Sequence, residues 1–159
     1  MSHKYKSLKY IALDSSEVRR LRSGGPDANG QHPEVSISDG EGNPCRYCLG
    51  EIARRESMLI LAHRPFQSLQ AYAELGPIFL CAKNCERHPE GNGVPALYRD
   101  REMLIRGYDR NERIIYGTGR VIDMTLIETE AGQLFENDKL CFIHVRSPGN
   151  NCFHFRIEQ

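Results

Sequence analysis

The sequence predicts a single α+β domain, mostly an antiparallel β-sheet with one or two helices packed on it. Three patterns carry that expectation. Short apolar runs at 58–62 and 78–81 are bounded by turn-forming residues, as strands are. Residues 140–157 read as a β-hairpin. Residues 123–135 place Met124, Ile127, Ala131, Leu134 and Phe135 at the i, i+3, i+4, i+7 spacing of one buried helical face.

The length of 159 residues suits one domain, and a domain of that size buries roughly two-thirds of its unfolded surface. Hydrophobic residues at 40% and charged residues at 26%, with Gly and Pro scattered, favour a globular chain over a disordered one. The 21 basic and 21 acidic side chains cancel, so no net field draws the chain to phosphate backbones or anionic lipid. Nucleic acid and membrane are therefore not expected partners; a small molecule or a protein is. No apolar run approaches the roughly 20 residues that span a bilayer, and MSHKYKSLKY lacks the apolar region of a signal peptide. A cytoplasmic protein is expected, in which six cysteines serve as thiols or metal ligands rather than disulfides.

Residues 1–43 are expected to supply an N-terminal strand, a helix and a Gly/Pro-rich loop to the same domain whose main body is 44–159. Residues 5–13 alternate loosely, and Asp14 with Glu17 forms a capping box that opens a helix running to about Arg22. Ser23-Gly24-Gly25-Pro26 ends it, and the loop that follows is interrupted by the alternating Val35-Ser36-Ile37-Ser38. The aromatic-rich connection 63–77 is long enough to mark a functional loop. Residues 102–108 and 113–121 read as a hairpin about Asp109-Arg110-Asn111-Glu112.

In the C-terminal hairpin, alternation puts Cys141, Ile143 and Val145 on one face and Phe153, Phe155 and Ile157 on one face of the partner strand. Burying both sets together pairs Val145 with Phe153, His144 with His154 and Arg146 with Cys152. The second face then gathers two histidines, a cysteine and an arginine.

Cys45-Arg46-Tyr47-Cys48-Leu49-Gly50 has the form of a metal knuckle. Two thiolates two residues apart reach one ion, backbone N–H groups support the sulfur charge, and the trailing glycine permits the turn. Its second half is sought at Cys81, Cys85 and His88, which share one face if 81–88 is helical. The candidate zinc set is Cys45, Cys48, Cys85 and His88, with Cys81, Cys152 and His154 as alternative ligands. Against this, cysteine is among the most buried residue types, and Cys141 on an apolar face reads as plain core. A thioredoxin-like role for C-x-x-C is disfavoured because the motif follows a Gly/Pro-rich loop instead of a buried strand.

The rival reading is an enzyme or small-ligand pocket with Cys152 as thiolate, His144 or His154 as base and Arg146 holding an anion. His63, Arg64, Pro65, Phe66 and Tyr72 would form its rim if the long loop folds over that face. A solvated sheet face is the plainer alternative. His3 and His32 receive no role. A third reading uses the loop 67–75 as a protein-interaction surface.

Taken in order, PCRYCL, HRPF with AYAELGPIFL, IRGYDRNERIIYGTG and IHVRSPGNNCFHFRI resemble the bacterial family named domain of unknown function 1203, from Pro44 to the C-terminus. The resemblance implies a stand-alone, cytoplasmic bacterial domain of about this length, and neither a reaction nor catalytic residues. The expected role is binding or scaffolding around a structural zinc.

Overall fold

The computed structural model describes residues 7–159. The start of the strand expected at 5–13, and His3, lie outside the described residues. Eight strands and two helices follow in the order β1 (Lys9–Ile11), α1 (Ser15–Arg22), β2 (Glu34–Ile37), β3 (Ser57–His63), β4 (Gly76–Cys81), β5 (Glu102–Tyr108), β6 (Arg120–Asp123), α2 (Ile127–Leu134), β7 (Phe142–Arg146) and β8 (Phe153–Glu158). They form two antiparallel sheets, one of five strands in the order β1-β8-β7-β5-β6 and one of three in the order β2-β3-β4. The fold is α+β, as the alternation and the helical stripe indicate.

Asp14 caps α1 by accepting from the backbone N–H groups of Ser16 and Glu17. Val18 and Leu21, one turn apart, are its buried residues. The second helix begins later than expected. Asp123 caps a single 3-10 turn over Met124–Leu126, and α2 follows. Met124, Ile127, Ala131 and Leu134 nevertheless share one core with Ile105, Ile143, Val145, Phe155 and Ile157 from the large sheet. A second core joins α1 and the small sheet through Val18, Leu21, Cys45, Ile52, Leu59, Leu61, Ile78 and Leu80.

Three local expectations are corrected. The strand expected at 113–121 is confined to β6, which pairs Glu102 with Asp123 through Ile105 with Arg120. Before it, Asp109 accepts from the N–H groups of Asn111 and Arg113. Tyr108 bridges Ile114 and the Ile115 N–H donates to the Gly107 carbonyl, after which Thr118 Oγ1 accepts from the Gly107 N–H at 2.9 Å and donates to the Ile115 carbonyl, so a side chain interrupts the ladder there. Cys141 is exposed instead of buried. The strand expected from Leu140 starts two residues later, at Phe142, and Leu140 takes the place in the core.

The third correction is the C-terminal register. Val145 faces Phe155, His144 faces Arg156 and Arg146 faces Phe153, with a bulge between Val145 and Arg146. The extra residue turns Phe153 out of the set formed by Phe155 and Ile157 and into the core of α1 and the small sheet. Uninterrupted alternation could not anticipate that the two cores compete for one strand.

Gly107 sits where β5 meets these side chains. A Cβ there would lie 2.4 Å from Leu140 Cδ1 and 3.1 Å from Thr118 Oγ1. Gly107→Ala is expected to lower stability by about 1–3 kcal/mol in denaturant unfolding. Gly149→Ala, where a Cβ meets nothing within 4 Å, should change it by less than about 0.5 kcal/mol.

Candidate metal centre

Pro44 and Glu51 close the knuckle as an antiparallel bridge, and Cys45 bridges Phe79 of β4. The Cys45 N–H donates to the Gly50 carbonyl and the Leu49 N–H to the Cys45 carbonyl. The left-handed residue of the turn is Leu49, with φ of 56°, and not the glycine expected to serve there. A leucine in that conformation is strained by about 1–2 kcal/mol, and burial of its side chain in the core of the large sheet holds it.

This turn carries Cys45 and Cys48 to the end of β4, where Cys81 closes the strand and Cys85 follows in irregular chain. The ligand atoms of Cys45, Cys48, Cys81 and Cys85 all lie within 4.8 Å of one another, a metal-binding-like arrangement. The Cys45 and Cys85 sulfurs are 3.9 Å apart. Residues 81–88 form no helix, so strand end and loop, not a shared helical face, bring these sulfurs together. His88 is elsewhere. Its Nε2 lies 3.3 Å from the Gly93 carbonyl, and its N–H donates to the Tyr47 carbonyl.

Donors converge on the sulfurs. The Tyr47 and Cys81 N–H groups reach Cys45 Sγ at 3.4 and 3.3 Å. Arg22 donates to Cys85 Sγ at 3.2 Å and to the Cys81 carbonyl at 3.0 Å. Hydrogen bonds from Cys48, Cys81 and Cys85 hold the Cys45 thiol far below its ordinary range. Hydrogen bonding to Cys45, with burial and its negative charge, pushes Cys48 and Cys81 up, while Cys85 is lowered to about 7. Four thiolates this close would repel one another, and a dication at their centre would offset that repulsion. All six cysteines are free thiols.

The residues of the rival site divide: Arg146 Nη2 donates to His144 Nδ1 at 3.2 Å, whereas Cys152 and His154 bond elsewhere. Cys152 Sγ lies 3.9 Å from the Asn150 carbonyl. His154, at the bulge, pairs its Nδ1 with the Tyr98 hydroxyl at 2.7 Å. His144 lies within 5.2 Å of four aromatic ring centroids, those of Phe66, Tyr108, Phe142 and Phe153. The long loop does fold over this face, with Phe66 as its anchor. What sequence reasoning missed is Glu112. Its carboxylate fixes that loop by accepting from the Gln67 and Ser68 N–H groups at 2.9 Å each.

The fold and the cluster define a small α+β protein carrying four converging cysteines. Residues 42–159 match the family model described as Protein of unknown function (DUF1203), and the chain belongs to that family. No curated protein and no solved structure matches it. Among the described residues, no helix is long and apolar enough to cross a membrane.

Burial holds three imidazoles neutral: His144 well below its ordinary pKa, His63 at about 4 and His154 at about 2. Unfolding frees them to protonate near pH 6.5, so the unfolded state binds more protons and stability falls as pH drops below that value. Each neutral histidine should contribute about 1.4 kcal/mol per pH unit, down to about pH 4, where His63 itself titrates in the fold. Denaturant unfolding of wild type and His63→Phe between pH 7 and 4.5 checks this, the variant losing less with acid.

Proposed function

We propose that this chain is a small binding or scaffolding domain whose fold is locked by a structural zinc held on Cys45, Cys48, Cys81 and Cys85. The observation that carries the reading is the convergence of four sulfurs. A ring of thiolates is the donor set zinc takes in closed sites, and it suits neither calcium nor magnesium, which require oxygen. Four protein ligands fill a tetrahedral ion, leaving no position for water, so the ion's contribution is to folding. Of the ligands expected from sequence, this reading keeps Cys45, Cys48 and Cys85 and prefers Cys81 to His88.

Arg22 supports the same reading. A tetrathiolate zinc carries two negative charges, and the Arg22 guanidinium beside Cys85 Sγ offsets part of them.

Untagged protein should contain about one zinc per chain by elemental analysis, the stoichiometry of a single four-ligand site. Cys45→Ser and Cys81→Ser should lose it together with most of the stability, whereas His88→Ala should retain it. Full stability in metal-free wild type would contradict the proposal. Arg22→Met should weaken zinc about 10- to 100-fold in competition with a chelator, with the fold preserved at saturating metal.

A further inference from the structure

Among the described residues, four buried side-chain N or O atoms lack a hydrogen-bond partner: Tyr10 Oη, His144 Nε2, Arg146 Nε and Arg156 Nε. Three of the four lie together on β7 and β8. His144 and Arg156 are cross-strand partners, and Arg146 donates from its Nη2 to His144 Nδ1 at 3.2 Å. Buried polar atoms are almost always paired in folded proteins, and unpaired ones gathered on one face call for an absent partner.

The chemistry of that partner follows from the donors. A guanidinium only donates, so His144 Nδ1 accepts, the imidazole is neutral, and Nε2 bears the proton. All three orphaned atoms are therefore N–H donors, and what they lack is an acceptor. Charge narrows the choice. Arg106, the partner of His144 on β5, is paired with Glu74 at 2.7 Å, and Arg156 with Glu158 at 2.5 Å. Among the described residues Arg146 has no ion pair; its remaining bond goes to the Asn151 carbonyl. Of these three guanidiniums, Arg146 is the one without a carboxylate partner among the described residues.

Space adjoins the donors. A cavity of about 270 Å³ is lined by His144 and Arg156 on the sheet side, and by Ile11, Leu13, Phe66 and Phe153 on its apolar walls. The acids along it are engaged elsewhere: Asp14 caps α1, Glu17 pairs with Arg20, and Glu112 holds the loop amides. A second cavity, of about 210 Å³, reaches Arg146 and shares the His63, Pro65 and Phe153 walls. The His144 ring is fully enclosed, with the Phe66 centroid 5.2 Å away, so an acceptor would reach Nε2 only by displacing the Phe66 ring.

We propose that this face binds a small monocarboxylate with an apolar body, its oxygens accepting from His144 Nε2–H and the Arg156 guanidinium, while Arg146 fixes the imidazole tautomer and supplies the uncompensated charge. The site deepens the binding role proposed above and rests on it, but not on the metal, whose ligands it does not share. A planar carboxylate offers two acceptors and one charge. A phosphate dianion would overcompensate the site.

Full-length, zinc-replete protein is titrated with benzoate, acetate and inorganic phosphate at constant ionic strength, by calorimetry and by ¹⁵N-resolved NMR of the histidine rings. Benzoate should bind saturably at one site, more tightly than acetate, and move the His144 Nε2–H resonance. Arg146→Met should weaken it at least about tenfold, the loss of a charged partner, while Arg120→Met on the distant β6 should leave it unchanged. Should Arg146→Met fail to fold, the wild-type resonance still decides. Absence of saturable carboxylate binding, binding of phosphate alone, or an unmoved His144 signal would overturn the proposal. Zinc content measured on the same samples keeps the two readings apart: protein lacking zinc contradicts the metal centre, and a silent titration of zinc-loaded protein contradicts only the carboxylate site.

Discussion

The structure depends on the short turn that begins at Cys45. From it, Arg46 donates its backbone N–H to Phe79 of β4 and accepts at its carbonyl from Leu13, which follows β1. Its guanidinium donates to the Phe153 carbonyl of β8 at 2.6 Å and to the Pro44 carbonyl at 2.7 Å. One buried residue thus stitches the two sheets, and burial lowers its pKa with no carboxylate among the described residues paired to it. A desolvated cation is costly by several kcal/mol unless well bonded. Arg46 is tolerated because carbonyls surround it and because the neighbouring Cys45 offers negative charge. Whatever holds the four sulfurs together therefore holds the sheet junction.

The two concentrations of charge have opposite sign. Around Cys45 sulfur collects negative charge that backbone N–H groups, Arg22 and Arg46 oppose. Across the C-terminal hairpin, Arg106, Arg146 and Arg156 flank a neutral imidazole walled by aromatic rings, and the Arg156 guanidinium stacks on the Phe142 ring with its carbon 3.7 Å from the centroid. The bulge that turns Phe153 away from Phe155 separates these regions. Phe153 packs with the thiol side of the molecule, its ring centroid is 4.8 Å from that of His144, and its carbonyl holds Arg46.

Much of this was legible in the residues. The helical stripe from Met124 to Leu134 and the capping box at Asp14 are local signals, and both survive because their buried faces meet the core they imply. The cysteines signalled a centre through the spacing of Cys45 and Cys48. The choice among Cys81, Cys85 and His88 was not legible, since it depends on 81–88 following a strand end rather than a helix. Nor was the hairpin face. Alternation left His144 and Arg146 either solvated or under the long loop, and the loop anchored by Phe66 and Glu112 buries them, a contact between segments more than 40 residues apart. The bulge defeated the register for the same reason, because nothing adjacent in the chain announces a competition between two cores.

X-ray absorption at the metal edge of the purified protein tests the central claim most directly. The account predicts zinc with a first shell of four sulfurs at about 2.3 Å and no nitrogen or oxygen. A shell containing imidazole nitrogen or water oxygen, or the absence of bound metal from stable protein, would contradict it.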